Sequence, residues 1–311
     1  MPNGGGLRPQ HTLACILDAQ RISRRATGIS PMTTTLPRRL ASLFCAASMW
    51  PCAAAVITPT PLVEDVPFIT TPDHVTVAML ELADVGAKDH VIDLGSGDGR
   101  IVITAAKRFG ASGLGVEIVP ELVTQSRDNA RRVGVGERTR FEVQDLFATD
   151  LAPATLVTMY LLPEVNLALR PRLMALAPGT RIVSHDWDLG DWKPDRTLTL
   201  AVPQKSIGLE KTSRLHLWTV PARVDGLWCA PGGASLRIEQ RYQVLQATLT
   251  QGTESHSFNG RVHGRQLQLL GAAGDSVSAL ADGELLRTTE TTATGLRAGR
   301  AWRLAAGGGC G

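Results

Sequence analysis

The chain lacks a dominant charge of either sign. Its 32 Lys and Arg against 29 Asp and Glu leave a net +3, too little to argue for a polyanionic partner, and no basic stripe interleaved with aromatics occurs. Nucleic-acid binding is therefore not expected. The five cysteines, at 15, 45, 52, 229 and 310, include no pair with metal-ligand spacing. The G-x-G-x-x-G fingerprint of a dinucleotide-binding turn is absent too. What remains is 311 residues with 43% hydrophobic content, enough for two domains, or for one with a large appendage.

The most informative stretch is Val91-Ile92-Asp93-Leu94-Gly95-Ser96-Gly97-Asp98-Gly99-Arg100. Val91, Ile92 and Leu94 form an apolar run that reads as a buried parallel strand. A helical pattern starts at Arg100, with Ile101, Val102, Ala105 and Ala106 on one face. The glycines between tolerate positive φ and let a ligand approach the backbone. The turn reads G-x-G-x-G with Asp93 two residues before it. A pyrophosphate needs amides and no carboxylate nearby, whereas a ligand carrying an ammonium is helped by an acid at the strand end. This pattern resembles the first motif of the seven-stranded S-adenosylmethionine methyltransferases. The implied fold class is α/β, a Rossmann-like seven-stranded sheet. The implied cofactor is S-adenosyl-L-methionine, held around Asp93, Gly95, Ser96 and Gly97.

Other segments take their places around this turn. Thr71 and Pro72 read as N-cap and first residue of a helix whose face is Val75, Val77, Met79, Leu80 and Leu82. Gly113 to Ile118 reads as a second buried strand. It carries Glu117 about 20 residues past the glycine turn, as a ribose-binding acid requires. A third strand, Arg140 to Gln144, is followed by Asp145 and Leu146. The fourth, Thr155 to Leu162, runs into Pro163-Glu164-Val165-Asn166. The helix after it is interrupted by Pro171 and reaches Pro178-Gly179. A fifth strand ends at Ser184-His185-Asp186. Thr197 to Val202 and Arg214 to Val220 alternate as a closing hairpin.

From Pro67 to about Pro221 the chain is similar to one family in particular. This is the bacterial relatives of the mitochondrial lysine methyltransferases that modify the c subunit of ATP synthase and the adenine nucleotide translocase. Four motifs carry the similarity. They are Phe68-Ile69-Thr70-Thr71-Pro72, the glycine turn, Tyr160-Leu161-Leu162-Pro163-Glu164-Val165-Asn166 and Ser184-His185-Asp186. Phe68 departs from the tyrosine expected there. The Asn/Asp-Pro-Pro-aromatic loop of the amino-purine and amide methyltransferases is missing.

The resemblance implies that Thr71 closes over the methionine end of the cofactor and that Asp145 accepts from the adenine amino group, with Leu146 covering the ring. A turn or cap role is also open to Asp145. Tyr160 and Glu164 are the catalytic candidates. Tyr160 orients the amine or packs on the cofactor, and Glu164 binds a lysine cation or is an ordinary first-turn acid. His185 and Asp186 read as an acid–base pair or as a structural strand end. Trp187 and Trp192 wall the cleft or pack beneath it. The expected acceptor is an amine, a protein lysine first, with a membrane-associated protein or a small molecule as alternatives. A second class is an exported protein that keeps the fold without the reaction. Oligomeric state is not legible.

Residues 1–58 read as an unstructured leader, then a signal peptide or membrane anchor. Thr33 to Arg39 is a basic segment, Leu40 to Ala55 is apolar, and Ala53-Ala54-Ala55 suits cleavage. Export to the periplasm or an inner-membrane anchor is the expectation, a cytoplasmic location the alternative. Residues 59–221 form the methyltransferase domain in this reading. Residues 222–311 alternate in short segments separated by Gly-, Asp- and Ser-rich turns, as a small antiparallel β-domain, barrel or sandwich. Trp228 and Trp302 stand where its first and last strands would meet. Cys229 and Cys310 bracket it, either as a disulfide or with Cys310 free in a Gly-rich tail.

Overall fold

The computed structural model describes residues 69–205, 210–307 and 309–310. The leader, the signal or anchor segment, Pro67, Phe68 and the cysteines at 15, 45 and 52 lie outside the described residues.

The first half is a seven-stranded sheet in the order β3-β2-β1-β4-β5-β7-β6. Its strands are β1 (His90–Leu94), β2 (Ser112–Glu117), β3 (Thr139–Val143), β4 (Leu156–Met159), β5 (Arg181–His185), β6 (Arg196–Ala201) and β7 (Thr212–Thr219). β1 to β5 pair in parallel, and β7 is antiparallel to both β5 and β6. The reversed β7 is the terminal hairpin expected from alternation. Both faces of the central strands are covered, so they are mostly apolar, with Asp93, Thr158, Ser184 and His185 as buried polar exceptions. Val91, Leu156 and Val183 pack with α1 (Asp73–Leu82) and α2 (Arg100–Phe109). Ile92, Leu94, Val157 and Ile182 face the other way, toward Leu169, Leu173 and Trp218. α3 (Pro120–Arg132) and α4 (Pro163–Leu173) complete this half.

Three local expectations are corrected. The N-cap of α1 is Pro72, not Thr71, and no side chain caps it. Pro72 supplies the carbonyl that Thr76 N reaches at 2.8 Å, which frees the Thr71 hydroxyl for a tertiary contact. β4 stops at Met159 rather than Leu162, because Pro163 opens α4 and the intervening chain must turn. α4 ends at Leu173, well before Pro178. There Ala175 N and Leu176 N bond only three residues back, to Arg172 O and Leu173 O, the tightened winding common at helix ends.

The second half is a closed antiparallel barrel, so the choice left open between barrel and sandwich falls to the barrel. Its strands are β8 (Gly226–Cys229), β9 (Ser235–Arg241), β10 (Val244–Gln251), β11 (Glu254–His263), β12 (Gln266–Gly271), β13 (Ser276–Asp282), β14 (Leu285–Thr291) and β15 (Ala301–Leu304). Inward residues alternate with outward ones, as Leu245, Ala247 and Leu249 do in β10. Closure comes from β15 meeting β8, with Leu304 opposite Trp228 and Arg303 opposite Cys229. Trp228 and Trp302 are both buried in the filled core. Their indole N–H groups donate to Val224 O at 2.8 Å and Thr288 Oγ1 at 3.0 Å. Full closure leaves no edge strand exposed for aggregation.

The barrel packs on the sheet half through buried Gln243, whose amide donates to Lys193 O at 2.7 Å and Asp195 Oδ1 at 3.2 Å. Tyr242 stacks on Trp192 at 6.1 Å between centroids. Trp192 is thus a core residue, and Trp187 is exposed. No helix among the described residues is long and apolar enough to cross a membrane.

Cys229 and Cys310 form a disulfide with Cα atoms 5.5 Å apart and a sequence separation of 81. It ties the C-terminal tail to β8. A loop of that length corresponds to about 4–5 kcal/mol of chain entropy removed from the unfolded state. Replacing Cys310 by Ser should lower the unfolding free energy by several kcal/mol. Urea unfolding followed by tryptophan fluorescence reads it, and an unchanged midpoint would mean that the tail contributes nothing.

Candidate active site

The glycine turn spends its amides inside the protein. Gly95 N and Ser96 N both donate to Val116 O, at 3.0 and 2.9 Å, and Gly99 N donates to Ser96 O at 2.9 Å. Gly97 N donates to Glu117 Oε2 at 3.0 Å. A turn so committed offers no amide cradle to a pyrophosphate. Two of its glycines are structurally required. Gly95 has φ 73°, and a Cβ there would come within 2.9 Å of Leu161 Cδ2; Gly99 has φ 81°, and a Cβ would meet the Phe141 ring at 2.7 Å. α3 braces the turn from behind, with Ser126 Oγ on Gly97 O at 2.8 Å and Asn129 Nδ2 on Asp98 O at 3.1 Å. Arg100 pairs with Asp98 and donates to Thr71 O at 2.7 Å, tying the entry of α1 to the turn.

Acids surround the turn. Asp93 is 2% exposed at the carboxyl end of β1 and accepts from Thr158 Oγ1 of β4 at 2.7 Å. Burial pushes its carboxyl up to about 7, with the charges of Glu117 and Asp98 adding to that and the Thr158 bond opposing it. Glu117 ends β2. Its second oxygen accepts from Ile118 N at 2.8 Å and Val119 N at 3.2 Å. Ser96 Oγ is buried without a hydrogen-bond partner among the described residues. An acidic, amide-poor turn with a spare hydroxyl suits a ligand bearing a cation and hydroxyl groups, which is the chemistry of S-adenosylmethionine. Asp145 lies past the end of β3, exposed, and its Oδ1 accepts from Phe147 N at 2.8 Å, a turn-forming bond. Leu146 is half-buried against the core below.

A second group lies at the ends of β4 and β5. Tyr160 stacks on His185 with centroids 3.9 Å apart, and its hydroxyl donates to Asp186 Oδ2 at 3.3 Å. Burial and the adjacent Asp186 charge push the Tyr160 phenol up to about 12. His185 Nδ1 lies 3.2 Å from Thr71 Oγ1, and its Nε2 lies 2.8 Å from Ser213 Oγ. Burial pulls His185 down to about 4, against the Asp186 charge, so it is a neutral, twice-bonded strut. A cavity of ≈ 230 Å³ opens here, lined by Ile69, Thr70, Tyr160, His185, Lys205 and Ser213 among others.

Lys205 and Ser213 carry no signal in the sequence, since neither belongs to a motif and only the turn after β6 and the register of β7 bring them in. Glu164 is exposed on the first turn of α4 and joins no hydrogen bond or ion pair among the described residues. The structure thus gathers Thr71, Tyr160, His185 and Asp186 together, and Asp93, Gly95, Ser96, Gly97 and Glu117 together. Asp145, Leu146 and Glu164 join neither hydrogen-bonded group.

The sheet order, the reversed seventh strand and the acid-flanked glycine turn define a class I, S-adenosylmethionine-dependent methyltransferase. Residues 93–196 match the model of the ANTKMT methyltransferase domain. The chain is 44% identical over 138 residues to a protein-lysine N-methyltransferase of Saccharolobus islandicus, covering 44% of this chain and 86% of that one. It is 36% identical over 110 residues to the adenine nucleotide translocase lysine N-methyltransferase of Mus musculus, spanning 35% of this chain and 48% of the mouse protein. A solved structure described as an RNA methyltransferase from Salinibacter ruber, in complex with S-adenosyl-L-homocysteine, is 49% identical. It aligns with 50% of this chain and 96% of its own at a TM-score of 0.45. The chain belongs to the ANTKMT methyltransferase family.

The raised Asp93 carboxyl has a consequence for folding. The native state holds this proton to higher pH than the unfolded chain does, so the group's contribution is full at low pH and is lost as pH rises from about 4 through about 7. Asp93→Asn keeps the acceptor for Thr158 and removes the charge. The ligand-free variant should be more stable than wild type at pH 8 and no more stable at pH 4. Paired urea titrations at the two pH values test this, and equal differences at both would refute it.

Proposed function

We propose that this enzyme transfers the methyl group of S-adenosylmethionine to the side-chain amine of a lysine in a protein acceptor. The observation that carries the reading is the cavity lined by Tyr160 and His185, at the β4 and β5 ends of the same sheet edge, with Asp186 bonded to Tyr160. The relatives described as lysine methyltransferases support it.

We assign the roles from the family resemblance, with the geometry as support. Asp93 and Glu117 take the ammonium and ribose hydroxyls, Gly95, Ser96 and Gly97 shape the turn between, and Asp145 with Leu146 takes the adenine. Thr71, anchored through His185, holds the entry of α1 over the methionine end. When bound, the cofactor supplies an electrophilic methyl carbon on a sulfonium. The attacking amine must be neutral, which for an ordinary lysine costs about 4–5 kcal/mol near pH 7. The Lys205 ammonium on the cavity wall disfavours a second positive charge beside it and so lowers that cost. Tyr160 stays protonated and spends its O–H on Asp186, which leaves its oxygen lone pairs to accept from the amine. His185, neutral beneath the ring, fixes the ring's position. The enzyme acts mainly by orientation.

The N-terminal segment supports export or an inner-membrane anchor, and the Cys229–Cys310 bond is what an oxidising compartment would preserve. A membrane-associated acceptor fits such a location. Mass spectrometry of the mature N-terminus in the native host tests this. A chain starting after the Ala53-Ala54-Ala55 run supports export, and a soluble cytoplasmic chain retaining Met32 overturns it.

Incubation of the full chain with S-adenosylmethionine and a membrane-protein extract should place methyl groups on lysines, read by peptide mass spectrometry. Total RNA from the same cells is the competing acceptor, and methylation of RNA alone would reject the proposal. Tyr160→Phe should lower kcat by roughly 10²-fold while leaving the affinity for S-adenosylhomocysteine unchanged. Glu164→Gln should change neither, since its carboxylate is bonded to nothing in the site.

A further inference from the structure

The ammonium of Lys205 sits among the groups that an incoming amine would meet. Its Nζ donates to Asp186 Oδ2 at 2.7 Å and to Thr212 O at 2.7 Å. The same Asp186 oxygen accepts from Tyr160 OH at 3.3 Å. Lys205, Tyr160 and His185 line one cavity of ≈ 230 Å³.

Asp186 is built to present this carboxylate. It holds φ 65°, a conformation that non-glycine residues keep only where the surroundings impose it. Here the surroundings are β7: Asp186 N donates to Arg214 O at 2.6 Å, and Arg214 N donates to Asp186 Oδ1 at 3.0 Å. One oxygen is thereby pinned to the sheet, and the other meets Lys205 Nζ and the Tyr160 hydroxyl, two groups whose residues line the cavity. Burial alone would push the Asp186 carboxyl up, but the bonds from Lys205 and Arg214 N outweigh it and hold the group below the usual carboxylate range.

Lys205 is the less fixed partner. It lies on the connection between β6 and β7, outside both strands. A lysine ammonium is a point charge on a flexible stem, readily exchanged for another. Both side chains keep some solvent exposure, 17% for Lys205 and 15% for Asp186, so the pair can open without unfolding its surroundings.

We propose that Asp186 Oδ2, the Thr212 carbonyl and the Tyr160 hydroxyl form a binding site for a primary alkylammonium, and that Lys205 is its resident, an internal competitor that an acceptor lysine displaces. The identity of the acceptor rests on the lysine-methyltransferase reading; the site and its resident do not. Two ammonium groups cannot share one carboxylate oxygen and one carbonyl without strong repulsion. Acceptor entry and Lys205 residence therefore exclude each other. Lys205 lowers the apparent affinity for any acceptor and favours those whose remaining contacts outweigh the displacement. The site also assigns the recognition of the substrate cation to Asp186, on β5's end, in place of Glu164 on α4.

The test uses n-butylammonium as the probe, the full chain, S-adenosylhomocysteine present and constant ionic strength. By calorimetry, Lys205→Met should bind n-butylammonium at least fivefold more tightly than wild type, and Asp186→Asn at least fivefold more weakly. A Lys205→Met variant that keeps its far-UV spectrum and its affinity for S-adenosylhomocysteine, yet binds the probe no better, overturns the proposal. If that variant does not fold, acetic-anhydride labelling of wild type replaces it. Labelling of Lys205 relative to exposed Lys107 should rise at least threefold with saturating n-butylammonium, and an unchanged ratio overturns the proposal. Neither measurement needs methyl transfer. Absence of lysine methylation would thus reject the proposed function and leave this result standing, and the converse also holds.

Discussion

Everything at the catalytic edge depends on how the first glycine turn is hydrogen-bonded. The carbonyl of Val116 takes two consecutive amides of that turn, and the side chain of Glu117 takes a third. A strand end and its neighbour's turn are thereby sewn together, and the amides that would otherwise attract a phosphate are consumed. Once that is done, charge decides which ligand fits. Asp93 lies buried beside the turn with Thr158 as its hydrogen-bond donor and two other acids nearby. Such a place is unfavourable for a third anion and favourable for a cation.

Helices behind the sheet hold this arrangement in register. Phe141 fills the space that a side chain at Gly99 or Gly115 would need, and Ser126 and Asn129 fasten the turn's carbonyls to α3. Arg100 reaches back to Thr71, whose hydroxyl meets His185. A chain of contacts therefore runs from the glycine turn, through the entry of α1, to the second cluster at the ends of β4 and β5. That cluster combines a stacked Tyr160–His185 pair with an ionised Asp186 and its lysine. The two clusters share a sheet edge and a common brace, as the donor and acceptor halves of the proposed methyl-transfer site would require.

The barrel stands apart from this chemistry. Its core is filled by apolar side chains, and its charged and polar junction with the sheet half runs through Asp195, Gln243 and Arg261. Stabilisation comes from closure and from the Cys229–Cys310 bond.

Periodicity and glycine spacing determined the buried strands, the closing hairpin, the acid-flanked turn and the alternating C-terminal module, because each is a local pattern whose burial follows from repeat length, whereas the seven-stranded sheet was implied by the family resemblance. Helix ends were less legible. Thr71 has the chemistry of an N-cap, yet Pro72 takes that place, because His185, 114 residues away, offers the threonine hydroxyl a partner. Only the tertiary structure brought together the second cluster, where the acceptor is proposed to enter. Lys205 and Ser213 belong to no motif, and they reach Asp186 and His185 because β7 runs antiparallel to β5. The chain likewise gave no ground for ranking Glu164 below Asp186. A first-turn glutamate and a strand-end aspartate look equally suited in one dimension, and it is the hydrogen bonds across the β5–β7 pair that support the proposal for Asp186.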